Sequence, residues 1–329
     1  MNSFLFSVNA VLPITLCVAL GYILKRIGLI TRDFAKLGNN LVFRVFLPAM
    51  LFLNVYKIDA IGEVNLGFVI YALIAVLALF AISVPFVLLV TKKRARRGAL
   101  IQATFRSNYA LVGIPLAEAL FGQSGVATAS VLSAFAIPAF NILAVITLSI
   151  FSDEGQGGTS IKKVLLGIAK NPLIHAVALG IISLLIRELL VSCNVEWRLS
   201  DLTPIYKVLG YLSSVATPLA LIVLGAQFEF SAISELRKEI IFGTVTRCLV
   251  VPALGLGAAI LFFKDTFDGA AFASFVALFA TPVAVSSVPM AQEMKSDFRL
   301  AGQIVVWSTL FSVLTIFLSA LILKELNIF

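Results

Sequence analysis

Long, uninterrupted apolar runs constrain this chain more than any other feature. A helix that crosses a bilayer needs about 20 mostly apolar residues, and ten stretches of the 329-residue sequence reach that length. They cover residues 4–24, 35–55, 66–91, 99–121, 126–150, 170–191, 203–227, 238–263, 269–292 and 300–324. Transmembrane strands take only about 10 residues of alternating polarity. The sequence therefore predicts an all-α polytopic membrane protein with ten transmembrane helices.

The composition supports a membrane class and excludes several others. Hydrophobic residues make up 60% of the chain and charged residues 13%, whereas soluble domains average roughly 45–50% and about 25%. The net charge of +8 is therefore interpreted as membrane topology, and no nucleic acid is expected as a partner. The loops between the spans are short, so no soluble catalytic domain is predicted. The lipid bilayer is the expected surrounding.

Basic residues are distributed unequally between the two predicted sides. Sixteen Lys and Arg lie in loops after odd-numbered spans and six on the other side, while Arg44, Arg106 and Arg247 fall within spans. Cytoplasmic loops carry the excess of basic residues. The bias predicts a multi-pass protein of the cell membrane with both termini non-cytoplasmic. The basic run Lys92–Arg97 is interpreted as a topology anchor, with an anionic-lipid or nucleotide site as the alternative.

Three short patterns recur at corresponding spans of the two halves. Residues 13–21 match residues 172–180, because both begin with Pro and, after four further residues, end with Val-Ala-Leu-Gly. The other matched pairs are 48–51 with 218–221 and 115–118 with 289–292. Each half holds five spans, so the second half must enter the membrane from the opposite side. This predicts inverted five-helix repeats over residues 1–151 and 163–329, joined by a polar cytoplasmic linker at 152–162.

Spans 4 and 9 carry proline near their centres, which predicts broken helices. Proline removes a backbone donor and crowds the carbonyl four residues earlier. If the two spans cross, helices starting near Pro115 and Pro289 would point their positive ends at a shared anion site. Ordinary proline kinks are the alternative. The candidate substrate-binding residues are Asn108, Tyr109, Gly113, Pro115, Asn141, Thr281, Pro282, Ser286, Ser287 and Pro289.

Ionisable residues within spans are expensive in lipid and indicate function. The candidates for coupling or charge are Arg44, Arg106, Glu118 and Arg247. Arg44 and Arg247 are expected to lie deep in the membrane, whereas an interfacial position is an equal alternative for Arg106 and Glu118.

The sequence predicts neither a cofactor nor a metal site. The three cysteines, Cys17, Cys193 and Cys248, are isolated, and His175 is the only histidine, so no metal-ligand spacing exists. Coupling to H⁺ or Na⁺ is left open. A sodium site near Asn108, Asn141 and Thr281 is one interpretation of the polar residues at the proposed crossing.

These segments resemble a known family. Residues 106–122 are similar to the fourth helix of the auxin efflux carrier family, and residues 281–292 to the ninth helix of its bacterial members. The spacing from Asn39 to Pro48 and the segment 217–221 are similar too. The resemblance covers essentially the whole chain. It implies ten helices in two inverted repeats with helices 4 and 9 broken and crossed, related to the bile acid:sodium symporter fold.

The resemblance also implies how the parts work. Helices 1, 2, 6 and 7 would form a scaffold, and helices 3–5 and 8–10 a transport domain. Plant members export auxin, and bacterial members are permeases for malate, malonate or other organic anions. An asparagine seven residues before the crossover proline contacts the auxin carboxylate in plant members, and Asn108 holds that position here. Ser286 and Ser287 depart from the plant pattern, so the substrate stays open.

The sequence as a whole predicts a secondary transporter for a small organic carboxylate such as malate, malonate or an auxin-like acid. Alternating access at the crossing would carry the anion, and a homodimer is compatible with the sequence. An anion channel is the alternative. An intramembrane enzyme would need a nucleophile–base pair, paired aspartates or a metal cluster within the spans, and the sequence offers none, so no enzyme is predicted.

Overall fold

The structure, a computed structural model, describes residues 3–57, 66–152 and 169–328. All regular elements of those residues are helical. The α-helices are α1 (Ser3–Arg26), α2 (Arg32–Leu41), α3 (Leu47–Tyr56), α4 (Leu66–Val90), α5 (Arg94–Phe105), α6 (Ile114–Ile150), α7 (Pro172–Ser192), α8 (Thr203–Gln227), α9 (Ala232–Val245), α10 (Val251–Phe263), α11 (Gly269–Phe279), α12 (Ser287–Glu293) and α13 (Phe298–Glu325). The predicted linker at 152–162 lies outside the described residues, apart from Ser152.

Seven helical stretches within the described residues are long and apolar enough to cross a membrane. They are Arg32–Tyr56, Gly67–Val90, Tyr109–Ile150, Pro172–Ser192, Thr203–Gln227, Ala232–Phe263 and Phe298–Glu325. The apolar helix α11 has only 11 residues and is too short to cross alone. The prediction of an all-helical polytopic membrane protein is therefore confirmed at this level.

Three of the long stretches stay continuous because a π-helical turn stands just before a proline. The turns Val42–Phe46, Tyr109–Gly113 and Thr246–Val250 precede Pro48, Pro115 and Pro252, respectively. In each case the residue after the turn donates to the carbonyl five residues earlier. Proline cannot donate and crowds the carbonyl four residues back. The wider turn accommodates it, so these prolines change the hydrogen-bond register without ending the helix.

The longest stretch, Tyr109–Ile150, bends sharply and consists of two arms. Its 42 residues would extend about 63 Å as one helix, roughly twice the hydrocarbon thickness. The backbone leaves helical geometry at Phe121 and at Gly122, where φ is 60° and ψ is −147°. That conformation favours glycine. A Cβ on Gly125 would overlap the carbonyl oxygen of Ala117, so the two arms pack closely after the bend.

Two helices are interrupted, and their extended segments cross. Residues 106–108 follow α5, and residues 280–286 separate α11 from α12. Ser107 and Val283 form an isolated antiparallel bridge. The Asn108 N–H donates to the Pro282 carbonyl at 2.8 Å, and the N–H of residue 284 donates to the carbonyl of residue 106 at 3.2 Å. Main-chain groups that lipid could not satisfy are thereby paired within the protein.

The prolines do not all lie where the breaks are. Pro289 lies in the first turn of α12, two residues after its start, so that helix begins where the sequence predicts. The helical path that contains Pro115 begins earlier, at Tyr109, because the π turn extends it backwards. The unwound residues are those before the turn. In the second interrupted helix Pro282 itself lies in the extended segment.

Candidate functional site

A cavity of about 170 Å³ lies beside the crossing. Its polar lining consists of Asn54, Arg106, Ser107, Asn108, Asn141, Thr217 and Ser286. Its apolar lining includes Leu47, Met50, Leu51, Leu111, Ile137, Phe140 and Ala220. The walls come from α3 and α8 on one side, and from the crossed segments and the second arm of α6 on the other. A mostly apolar wall with a few convergent polar groups is typical of small-molecule sites.

Arg106 carries the cavity's positive charge. The residue is only 3% exposed, and it directly follows α5, where the chain becomes extended. Its Nη1 donates to Gln102 Oε1 at 2.7 Å and to the sulfur of Met290. Its Nη2 donates to Asn141 Oδ1 at 2.8 Å and to Ser286 Oγ at 2.9 Å. The crossing therefore fixes the guanidinium in place with neutral partners.

The charge of Arg106 has no anionic counterpart. Nowhere in the described part of the chain does a carboxylate form an ion pair with it. Burying a charge costs several kcal/mol unless an opposite charge compensates it. A helix start adds further positive potential to the cavity. The helical path begins at Tyr109, which lines the cavity, and the N-terminal end of a helix carries a partial positive charge. An anion in the cavity would remove this cost.

Two further donors line the cavity next to Arg106. Asn108 is 7% exposed, and its side-chain Nδ2 is buried without a hydrogen-bond partner among the described residues. The same holds for the hydroxyl of Ser107. Buried polar atoms are normally paired. Three consecutive residues of the cavity lining therefore include one cation and two buried polar groups that have no partner among the described residues.

Arg247 lies at the same crossing but away from the cavity lining. It is 1% exposed and is held in the π turn before Pro252. Its Nε donates to the Thr281 carbonyl at 2.8 Å, its Nη1 to the Thr104 carbonyl at 3.1 Å and its Nη2 to the Leu278 carbonyl at 3.0 Å. These carbonyls end α5 and α11. Arg247 therefore caps the negative ends of both interrupted helices.

The structure brings together only part of the predicted substrate-binding set. Asn108, Tyr109, Asn141 and Ser286 line the cavity. The others lie near it without lining it: Gly113, Pro115, Thr281, Pro282, Ser287 and Pro289. Some of these support the crossing instead: Pro282 accepts from the backbone of Asn108, and a Cβ on Gly113 would lie 3.1 Å from the Ala277 carbonyl, so the π turn packs closely on α11.

The hydroxyl groups have separate roles. The Tyr109 hydroxyl donates to the Ala129 carbonyl at 3.1 Å, and the Thr281 hydroxyl to the Ala277 carbonyl at 2.7 Å. Asn141 Oδ1 already accepts from Arg106. Thr281 does not line the cavity, and Asn141 faces a guanidinium; the sodium site near Asn108, Asn141 and Thr281 stays a prediction. The described residues contain no group of three His, Cys, Asp or Glu that could hold a metal.

Arg44 does not line the cavity. Its side chain is 64% exposed, and its Nη2 lies 3.9 Å from Glu293 Oε2. The π turn before Pro48 directs it outward, away from the cavity. Glu118 is exposed as well. Among the candidate charges, Arg106 and Arg247 are therefore the two at the crossing.

The C-terminal end of α12 contacts helices on the opposite wall of the cavity. Asn40 Nδ2 on α2 donates to Glu293 Oε2 at 3.3 Å. Gln227 Nε2 at the end of α8 donates to Gln292 Oε1 at 3.1 Å. The short helix α12 thus connects the cavity, at Ser286, with the predicted scaffold, at Glu293.

The predicted set lacks three polar residues of the cavity lining, Asn54, Ser107 and Thr217, and the arginine partner Gln102. Ser107 is a polar residue inside an apolar span, directly before Asn108. Gln102 lies one helical turn before Arg106, and residues four apart on a helix share a face. That spacing could have identified Gln102 as a partner of the guanidinium.

Interrupted helices that cross beside a buried polar cavity, within a chain of long apolar helices, are the structural features of a membrane transporter. The sequence matches the family described as membrane transport protein over residues 6–319. The chain therefore belongs to this family, which is the auxin efflux carrier family that its motifs predict.

Two relatives are also described as transporters. An uncharacterized transporter of Methanothermobacter thermautotrophicus is 26% identical over 327 residues, which cover 97% of this chain and 99% of the relative. An uncharacterized transporter of Methanocaldococcus jannaschii is 25% identical over 249 residues, covering 74% and 76%. The protein is thus a multi-pass membrane transporter and not an enzyme, as predicted.

Proposed function

We propose that this transporter moves a small organic carboxylate, such as malate, malonate or an auxin-like acid, across the cell membrane by alternating access. The observation that carries the proposal is the uncompensated guanidinium of Arg106 in the cavity. Its terminal nitrogens already donate to four neutral partners, so the attraction for a carboxylate comes from the uncompensated charge of the guanidinium. Substrate binding would supply the counter-charge that the described residues lack.

The rest of the binding site follows from the groups around Arg106. The unpaired Nδ2 of Asn108 and the hydroxyl of Ser107 donate to the carboxylate, together with the N–H groups at the start of the helix from Tyr109. Met50, Leu51 and Phe140 line the cavity and contact the apolar part of the substrate. The site thus recognises a carboxylate at one end and hydrocarbon at the other.

We propose a topology of ten transmembrane helices in two inverted repeats, 1–151 and 163–329, with both termini non-cytoplasmic. Seven long apolar stretches support it. The other three crossings are α1, the first arm of α6 taken with α5 and separated from the second arm at Gly122, and α11 taken with α12 across the break. Combining interrupted helices in this way is usual in transporters.

Ion pairs also support the placement of three span ends on the same side of the membrane. Arg96 lies 2.9 Å from Glu239 and 3.4 Å from Asp297, and all three residues lie at span ends that the basic-residue bias assigns to the cytoplasm. Burial lowers the pKa of Arg96, but the hydrogen bond and charge of Glu239 and the charges of Asp297 and Glu235 outweigh it and raise that pKa. The cluster fastens the cytoplasmic ends of three spans together.

The mechanism uses the position of the cavity between two parts. Helices α3 and α8 belong to the proposed scaffold, whereas the crossed segments and α6 belong to the proposed transport domain. Movement of the transport domain would expose Arg106 to one side and then the other. No cofactor takes part in this cycle. The membrane potential acting on the anion, or a cotransported H⁺ or Na⁺, supplies the driving force.

The test is uptake of radiolabelled malonate, malate and indole-3-acetate by proteoliposomes. Arg106→Gln should reduce uptake of the transported acid at least tenfold with normal incorporation. Arg32→Gln removes one arginine from an exposed position and serves as the matched control. Equal uptake by Arg106→Gln and the wild type, or transport of none of the three acids, would contradict the proposal. Uptake that does not saturate, with unitary conductance in bilayers, would indicate a channel instead.

A further inference from the structure

Gln102 lies behind the cavity and contacts the guanidinium of Arg106 from within α5. It is 0% exposed and is not part of the cavity lining. Its Oε1 accepts from Arg106 Nη1 at 2.7 Å, and its Nε2 donates to the Ser287 carbonyl at 3.5 Å. The side chain therefore joins the arginine of one interrupted helix to the first residue of α12 in the other.

Asn141 holds the other terminal nitrogen of the same guanidinium. Its Oδ1 accepts from Arg106 Nη2 at 2.8 Å, and its Nδ2 donates to the Ile137 carbonyl at 2.8 Å. Both side chains thus offer Arg106 an amide oxygen while their amide nitrogens are fixed to backbone carbonyls. These nitrogen bonds fix which atom of each amide points at the arginine.

At both positions a carboxylate of the same shape would fit the same hydrogen bond to Arg106. Proteins commonly pair buried arginine with Asp or Glu, because charge-assisted pairs are stronger than hydrogen bonds to neutral acceptors. Here two amides take that place, and the other two partners are a hydroxyl and a thioether. Four neutral partners therefore fix the orientation of the guanidinium, and none of them compensates its positive charge.

We infer that Gln102 and Asn141 are positioning residues that keep Arg106 both oriented and uncompensated, and that they thereby set the selectivity of the site for anions over neutral solutes. The inference rests on the proposed role of Arg106 in carboxylate binding. A carboxylate at either position would act as an internal counter-ion in contact with the arginine. The substrate would then compete with that ion and meet a neutral site.

The inference is tested with Gln102→Glu and Asn141→Asp, which change charge but hardly change shape. The probe is whichever of malonate, malate and indole-3-acetate the wild type transports. Each variant should lose at least tenfold in apparent affinity for that acid, measured by ligand-induced thermal shift and by uptake. The melting temperature without ligand should change little, because the new ion pair with Arg106 offsets the loss of the amide donor to the Ser287 or Ile137 carbonyl.

A matched control and a third variant separate charge from geometry. Gln123→Glu adds the same charge at an exposed position and should leave affinity unchanged. Gln102→Met removes the acceptor without adding charge. It should raise KM several-fold while the preference for the acid over its neutral amide, malonamide or indole-3-acetamide, stays as in the wild type. In Gln102→Glu that preference itself should fall.

The outcomes distinguish this inference from the proposed function. If Arg106→Gln abolishes uptake while both acidic variants bind the acid as the wild type does, the positioning inference is overturned and the proposed function stands. Normal uptake by Arg106→Gln, or no transport of any of the three acids, overturns both. Should Gln102→Glu fail to fold, Asn141→Asp decides the question alone.

Discussion

Two buried arginines at one crossing have very different surroundings. Arg247 donates to three backbone carbonyls at the ends of α5 and α11, so the partial negative charges of two helix ends offset its own charge. Arg106 is surrounded by neutral side chains and the positive start of a helix. The comparison shows that burial of a cation does not by itself indicate function. What the cation is paired with separates a structural arginine from one available to a ligand.

The largest effect is expected from Arg247→Gln. This substitution leaves three buried carbonyls without a charged donor, and charge-assisted bonds contribute about 1.5–3 kcal/mol each. Partial rescue by glutamine brings the expected destabilisation to about 3–5 kcal/mol. Thermal unfolding in detergent and the yield of inserted protein measure it. A variant that unfolds like the wild type would remove the structural role assigned to this residue.

Arg106→Gln should show the opposite pattern. Transport of the substrate falls strongly, while the melting temperature without ligand changes much less than in Arg247→Gln, because removal of an uncompensated buried charge offsets the loss of hydrogen bonds to Gln102, Asn141 and Ser286. Unfolding curves and uptake are measured on the same preparation. A large loss of stability would mean that Arg106 is structural like Arg247, and the contrast between the two would disappear.

Arg247→Lys tests whether geometry or charge caps the helix ends. Lysine keeps the charge but is a compact point charge without the planar fork that reaches three directions. We expect an intermediate destabilisation of about 1–3 kcal/mol, with near-normal transport per folded molecule. Stability equal to the wild type would show that charge alone is sufficient.

Asn108→Ala should affect binding with little effect on folding. The Nδ2 atom has no partner to lose among the described residues, and one hydrogen bond to a charged ligand is worth about 1.5–3 kcal/mol. Apparent affinity for the transported acid should therefore fall roughly 10- to 100-fold. Asn141→Ala is the comparison: it removes bonds to Arg106 and Ile137, and its melting temperature should fall as well.

The smallest effect is expected from Arg44→Gln. Its ion pair with Glu293 spans 3.9 Å with a largely exposed arginine, and exposed pairs contribute about 0–1 kcal/mol. Unfolding and substrate affinity should both stay close to the wild type. A marked loss of affinity would assign this arginine to the substrate path, which its position outside the cavity argues against.

Much of the fold was predictable because apolar length is a direct consequence of the bilayer. The end of the fourth span, predicted at residue 121, coincides with the bend at Phe121 and Gly122. The position of the first break was less predictable. Proline has no backbone N–H, so it fits any position where no hydrogen bond from that nitrogen is needed. A π turn or the first turn of a helix provides such a position, and so does an unwound segment. Pro115 lies after a π turn for this reason.

The location of the candidate cavity was predictable from the sequence, and the hydrogen-bond partners of its charged residues were less so. Asn108 and Ser286 line the cavity as expected, because the motif places them next to the breaks. The difference between the two arginines could not be read from the sequence, since it depends on which distant carbonyls meet Arg247. Arg44 is a second example. Its position in an apolar run predicts a place within a span, whereas the direction of its side chain depends on the rotation of the helix about its axis, which the sequence does not give.

The bridge between Ser107 and Val283 has a consequence for how such transporters diversify. Backbone atoms form it, so side chains that only line the cavity can be exchanged without removing the hydrogen bonds of the junction. Architecture and substrate preference are thereby separated. A new substrate needs only different side chains around a junction that any sequence able to adopt the extended conformation can form.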